Sequence, residues 1–336
     1  MKPARLRRGE TIGIVSPSWY GGEPFAHRIA RGVAHLEALG FRVMIAPHAL
    51  NTAGYISDTP QHRADDLHAL FADPQVRAII ATIGGDHACH LLPLLDWDLI
   101  HANPKIFLGF SDLTVLNVAI WTMTGLVTFN GPTLMTDWAE YPAMPEYSET
   151  YALRAITRAE PIGVIEPAPW WTDEFLDWET KADLARPRQQ HPSPGWTWLR
   201  GGMAEGRLIG GCLESLQHLR GTRYWPSCEG AILFLETSEE RPSPEKVDSI
   251  LMDYENMGIL AQIRGLLMAR PYGYSAEERA QLHEVILART EQFAFPVIAD
   301  MDFGHTTPIF TLPIGCRGRI DGDARQFAIT EAAVSD

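Results

Sequence analysis

Cysteine is sparse and unpaired in this sequence. Cys89, Cys212, Cys228 and Cys316 form no CxxC pair, so neither a zinc ribbon nor a disulfide framework is indicated. No segment approaches the roughly 18 consecutive apolar residues that a membrane helix needs. The basic N-terminus, MKPARLRRGETIGIVSPS, lacks the apolar run of a signal peptide. A cytoplasmic protein with no membrane partner is therefore expected. Positive charge is also short: the formal net charge is −14, and a nucleic-acid partner would require a basic face. There is no GxGxxG motif to hold a dinucleotide. His87 and His90, with Asp86 nearby, lack a third ligand at a diagnostic spacing. No cofactor and no metal are expected. Internal repeats and low-complexity segments are absent as well.

What is present is ordinary globular material. With 46% hydrophobic and 21% charged residues, the chain can bury a large core, and its 336 residues suit two domains better than one. The first half alternates strand and helix. TIGIV, FRVMIAP, VRAIIATIGG, KIFLGF and LVTFNGP read as strands. RIARGVAHLEALG, DTPQHRADDLHALFAD and DLTVLNVAIWTMTG read as helices, and ACHLLPLLDWDLI as helical or mixed. Repeated βα units imply a doubly wound, mostly parallel sheet whose ligands sit beyond the strand carboxyl ends. The expected organisation is an N-terminal α/β domain over 1–165, a Trp-rich loop over 166–200, and a mixed, strand-rich α/β domain over 201–336 that closes on a hairpin across DGDAR. The tryptophans at 170, 171, 178, 196 and 198 suit either a core or a stacking platform for a ring-bearing substrate.

Three strand ends carry chemically useful groups. GFSD, at 109–112, turns a buried strand directly into an apolar helix. Its Ser111 could cap that helix, or the bend could lift a nucleophile out of the sheet. AILFLETSEE ends an apolar strand on Glu236, where a carboxylate needs a partner if it is buried. VIADMDFGHTTPIF places His305 between two apolar extended runs. Each has an ordinary structural explanation alone. Together they would supply a nucleophile, an orienting acid and a base.

The blocks GIVSPS, GYISDTPQHRADDLHALFADPQVRAIIATIGGD, LLPLLDWDLIHANPKIFLGFSDLTVL, FNGP, WTDEFLDWE, GRLIGGCLESL, ILFLETSEE and GHTTPIFTLPIG occur in an order that resembles the LD-carboxypeptidase family of serine peptidases. Within it, the chain is similar to the microcin C self-immunity branch. The resemblance implies that Ser111 is the nucleophile, Glu236 the orienting acid and His305 the base. It also implies backbone oxyanion donors at Gly85 and Asp112, and substrate contacts near Trp171 and Trp178. Two departures touch specificity: the family's GGN block reads Gly210-Gly211-Cys212, and the basic residue common four positions after the glutamate is Glu240. The implied substrate is a small peptidyl-nucleotide cleaved at an amide bond through an acyl-enzyme. A peptidoglycan tetrapeptide is the alternative, and a non-catalytic binding protein a further one. A homodimer is expected by analogy with the family.

Overall fold

A computed structural model describes residues 1–336. The first half contains strands β1 (Thr11–Val15), β2 (Arg42–Ile45), β3 (Val76–Ala81), β4 (Ile106–Leu108) and β5 (Thr128–Asn130). Between them lie helices α1 (Ala26–Ala38), α2 (Pro60–Ala72), α3 (Trp97–Ala102) and α4 (Leu113–Thr124). The five strands are parallel, in the order β5-β4-β3-β1-β2. Apart from Arg77 and the exposed edge strand β2, these strands are buried throughout. That burial explains why they read as continuous apolar runs rather than alternating ones. The order of strands reverses between β1 and β3, so the turns that follow them flank the crevice where such sheets bind ligands.

Local chemistry sets the element ends. Thr59 caps α2 by accepting from the His62 N–H at 3.3 Å, with Pro60 at the first helical position. Gly40 (φ +92°) closes α1, and Gly125 (φ +71°) closes α4, in the left-handed conformation that glycine tolerates. The segment expected as helical or mixed divides around Pro93. A single 3₁₀ turn covers Ala88–Leu91, and α3 starts afresh where Asp96 accepts from the Leu99 N–H at 2.9 Å.

After α5 (Glu146–Thr157) come β6 (Pro161–Ile165), a two-stranded ribbon of β7 (Trp170–Trp171) and β8 (His191–Pro192), β9 (Thr197–Arg200) and β10 (Met203–Cys212). They are followed by α6 (Leu213–Leu216), β11 (Ile232–Glu236), α7 (Pro244–Asn256), α8 (Ile259–Gln262), β12 (Gly265–Ala269), α9 (Ala276–Arg289) and β13 (Val297–Met301). Strands β14 (Leu312–Ile314), β15 (Arg317–Asp321) and β16 (Gln326–Ala332) complete the chain. The second sheet runs β6-β16-β15-β10-β11-β12-β13-β9, with β10 to β13 parallel and the remaining pairs antiparallel. The fold is thus mixed α/β, with a mostly parallel first sheet and a mixed second one.

Two strands cross the boundaries drawn from the sequence. β6, counted above with the first domain, pairs with β16 in the second sheet. β14, from the C-terminal half, pairs antiparallel with β5 at the edge of the first. β6 and β9 stand at opposite edges of the second sheet. The Trp-rich segment between them must therefore span that sheet's full width, which accounts for its length. One contiguous apolar core draws on both sheets. No helix is long and apolar enough to cross a membrane.

Asn117, fully buried in α4, ties this helix to the strand ends that precede it. Its side-chain amide donates to the Gly109 carbonyl at 2.8 Å and to the Phe129 carbonyl at 3.3 Å, while its backbone carbonyl accepts from Thr128 Oγ1 at 2.9 Å. Asn117→Ala should lower unfolding free energy by about 2 kcal/mol, because a buried side-chain hydrogen-bond pair and some packing are lost together. A denaturant melt checks this; a loss below about 0.5 kcal/mol would show that α4 is held by apolar packing alone.

Candidate active site

The turn between β4 and α4 carries Ser111 in the left-handed region, at φ +62°. For a serine that conformation costs about 1–3 kcal/mol, so its surroundings must impose it. They do so from three sides. A Cβ added to Gly84 would lie 2.8 Å from both the Ser111 Cβ and its Oγ, so the glycine turn after β3 abuts the serine directly. Asp112 is fully buried, and its Oδ2 accepts from Ser18 Oγ at 2.6 Å and from the Ala88 N–H at 2.8 Å. Ser18 Oγ in turn accepts from the His87 N–H at 2.9 Å. Burial raises the Asp112 carboxyl above its ordinary range, and those hydrogen bonds only partly restore it. Ser111 does not cap the helix; the N-cap position is Asp112, whose side chain makes no capping bond. The SPS turn after β1 thus serves as a brace for the bend, a role that the sequence reading did not assign to Ser18.

Glu236 ends β11 and is 1% exposed. Its Oε2 lies 2.6 Å from His305 Nδ1. The approach requires Gly304, at φ +86°, where an added Cβ would fall 2.7 Å from the Glu236 Cβ. The other imidazole nitrogen, Nε2, faces Glu239 Oε2 at 2.9 Å, and no hydrogen bond joins it to Ser111 in this conformation. Desolvation alone would lower the His305 pKa; the Glu236 and Glu239 carboxylates outweigh it and hold the imidazole well above its usual range. The ring also meets the edge of Phe110, with centroids 5.1 Å apart. Glu239 differs from Glu236 in one decisive respect: its side chain is 63% exposed. It is a partner that solvent or a ligand can replace.

Ser111 and His305 line one cavity of about 770 Å³ between the two sheets, with Gly84, Gly85, Asp86 and Glu239. Trp178 and Phe175 of the Trp-rich loop form part of its wall. Trp178 is fixed by the Arg28 guanidinium, 4.4 Å from its ring centroid, and by the edge of Phe25. The other three expected substrate contacts are not in that wall. Trp171 belongs to the β7–β8 ribbon, where Arg270 and Arg279 lie 5.0 and 5.8 Å from its ring. Cys212 is 1% exposed and faces Glu236 across the β10–β11 register; its N–H donates to Thr114 Oγ1 of α4 at 2.9 Å. It docks one sheet on the other. Glu240 is exposed, one residue beyond the lining. Trp196 is likewise drawn to the core, donating from Nε1 to Asp302 at 2.6 Å.

His48, Asp58 and His62 bring three possible metal ligands within 4.8 Å of one another, away from this cavity. The two rings stack at 4.3 Å with planes only 12° apart. In-plane lone pairs of parallel rings cannot meet at one ion, so the arrangement is a stacked pair held by Asp66 and Asp58.

Residues 12–131 match the LD-carboxypeptidase N-terminal domain, and residues 205–320 match the LD-carboxypeptidase C-terminal domain. The chain belongs to the LD-carboxypeptidase family. It is 35% identical to YocD of Bacillus subtilis over 96% of each chain. It is 32% identical to the microcin C7 self-immunity protein MccF of Escherichia coli, over 99% of this chain and 96% of that one. A more local likeness, 34% over 98 residues, links it to the murein tetrapeptide carboxypeptidase of Pseudomonas aeruginosa, covering 29% and 32% of the two chains. Among solved LD-carboxypeptidase relatives, MccF with aspartyl sulfamoyl adenosine superposes with a TM-score of 0.91 at 32% identity, covering all of both chains. MccF with glutamyl sulfamoyl guanosine gives 0.91 at 31% identity over 99% of each. An MccF active-site mutant with a serine, an asparagine and a lysine replaced by alanine also gives 0.91 at 31%, over all of both chains.

The close approach at Gly84 makes a direct prediction. Its backbone lies outside the left-handed region, so alanine is conformationally acceptable there and its methyl group can only push on Ser111. If Ser111 is the nucleophile that the resemblance implies, Gly84→Ala should reduce turnover by ~100-fold, the scale of a misplacement of about 1 Å, while melting within a few degrees of wild type. Wild-type turnover in a folded variant would mean that Ser111 is free to shift.

Proposed function

We propose that this LD-carboxypeptidase family member is a serine-type hydrolase that cleaves the amide bond of an aminoacyl- or peptidyl-nucleotide. The observation that carries the reading is the strained Ser111 turn, opening into the same cavity as a His305–Glu236 pair and the fixed ring of Trp178. In this mechanism Nε2 of His305 turns from Glu239 to take the Ser111 proton, and Glu236 holds the ring and stabilises the imidazolium. Ser111 Oγ attacks the scissile carbonyl. The oxyanion is received by the N–H groups of Gly85 and Asp112, neither of which donates to another group in the protein. The nucleotide part leaves with the proton from His305, and water then hydrolyses the acyl-enzyme. The likeness to MccF, whose structures hold aminoacyl sulfamoyl nucleosides, supports a nucleobase over Trp178.

Three measurements test the reading. Wild type, but not Ser111→Ala, should be labelled by a fluorophosphonate and should hydrolyse an aminoacyl sulfamoyl adenosine. Hydrolysis of a murein tetrapeptide alone would reassign the substrate. Trp178→Ala should raise KM for the nucleotide substrate roughly tenfold, with kcat changed far less, because stacking acts in ground and transition states alike. An equal loss on a plain peptide would return Trp178 to a structural role.

The pH profile follows from the carboxylates around His305. The imidazole is a base only when neutral, so kcat/KM should fall as pH drops through its raised pKa. Removing the Glu239 charge lowers that pKa toward the ordinary value. Glu239→Gln should therefore move the acid limb to lower pH. An unmoved limb would show that Glu239 has already left His305 in the reacting enzyme.

A further inference from the structure

Charge in the cavity is strongly one-sided. Eight carboxylates line it against two guanidiniums. Both guanidiniums are committed: Arg28 to Asp183 at 2.9 Å, and Arg188 to Glu140 at 2.7 Å. No free cation is left in the wall to receive an acidic group. At the end near Ser111, Asp86 follows Gly85 directly and makes no ion pair. Glu240 follows Glu239 on the β11–α7 connection. Asp86 and Glu239 line the same cavity and Glu240 is the next residue along; partial burial raises the Glu240 carboxyl, and Asp86, Glu214 and Glu239 raise it further. Its only cationic chain neighbour, Arg241, turns instead to Glu278 at 3.5 Å.

A second, independent observation bears on Glu240, which is next in the chain to the cavity-lining Glu239. In the MccF active-site mutant, the replaced lysine lies as far along the chain from the replaced serine as Glu240 lies from Ser111. The replaced asparagine falls within one residue of the corresponding spacing to Cys212. MccF structures hold aspartyl and glutamyl ligands. By that spacing, a carboxylate stands here where that protein has an ammonium. An acidic acyl side chain would meet like charge where MccF offers opposite charge.

We propose that Glu240, acting with Asp86, makes the acyl end of this cleft select an aminoacyl nucleotide whose side chain is cationic, of lysyl or arginyl type, and reject acidic ones. This rests on the hydrolase reading above and adds its substrate class. Opposite charge guides entry and pairs with the acyl group, while like charge opposes both. Part of the effect lies at an exposed carboxylate and is screened by salt.

The test is hydrolysis of lysyl, alanyl and aspartyl sulfamoyl adenosine, followed by chromatography, for wild type, Glu240→Lys, Glu240→Gln and Asp86→Asn. Wild type should favour lysyl over aspartyl in kcat/KM by at least about tenfold at low salt, a ratio that shrinks in 0.5 M KCl, where screening is about 4 Å in range. Glu240→Lys should invert the ratio, and Glu240→Gln and Asp86→Asn should each reduce it. Turnover of alanyl substrate with aspartyl equal to or better than lysyl would overturn this inference and leave the hydrolase reading standing. A ratio unchanged in Glu240→Lys would overturn the role of Glu240. No turnover of any of the three would overturn the hydrolase reading, and this inference with it.

Discussion

A serine held at positive φ is unstable by itself, and the site depends on the groups that keep it there. Gly84 closes off one side, Asp112 is tied to Ser18 and Ala88 on another, and Asn117 fixes the helix that follows. These restraints come from the ends of β1, β3 and β4, which adjoin one another in the parallel sheet. The strand order that brings those ends together is thus the same feature that strains the serine.

Glu236 and His305 arrive from the other sheet, so the proposed mechanism depends on how the two sheets dock. The Cys212 N–H bonded to Thr114 Oγ1 and the insertion of β14 beside β5 hold that docking from both sides of His305 in sequence. His305 then lies between two unequal carboxylates. Glu236 is buried, and removing it would strand the imidazole with no orienting partner. Glu239 is exposed, and its ion pair yields to competition from water or ligand. The inner partner fixes the ring through Nδ1, and the outer one occupies Nε2, the nitrogen that the proposed mechanism assigns to Ser111.

Much of this was legible in the sequence because it is local. A strand ending in Gly109-Phe110-Ser111-Asp112 before an apolar helix announces a sharp turn, and the GG pair at 84–85 announces a close backbone approach. What was not legible depends on long-range docking. Trp171 and Trp178 are seven residues apart and chemically identical, yet Arg28 of α1 fixes one in the cavity while Arg270 and Arg279 hold the other outside it. No periodicity reports which arginine a loop tryptophan will meet. Cys212 looked like a substrate position because its motif is; the β10–β11 register turns it inward against Glu236 instead. β6 and β14 were misplaced for the same reason, since strands of three to five residues carry no label for the sheet they join. Glu239 could have been weighed from the SEE run after β11, but only the fold brings it to Nε2 of His305.

The two proposals, on activation and on selection, meet at Glu239 and Glu240 on the β11–α7 connection. In the proposed mechanism, proton transfer from Ser111 would require Nε2 of His305 to part from Glu239, and a carboxylate that loses a protonated or hydrogen-bonded partner must find another or return to water. Water is available, because the side chain is largely exposed, so the step is open to any substrate. A cationic acyl group beside Glu239 and Glu240 does more. In the proposed mechanism it would supply the counter-charge that Glu239 gives up and weaken the negative potential that keeps His305 protonated. An acidic acyl group would do the reverse, adding negative charge beside an imidazole that is already held in its charged form. If the cleft sorts substrates by charge as proposed, the same field would also set how readily His305 becomes free to act as base.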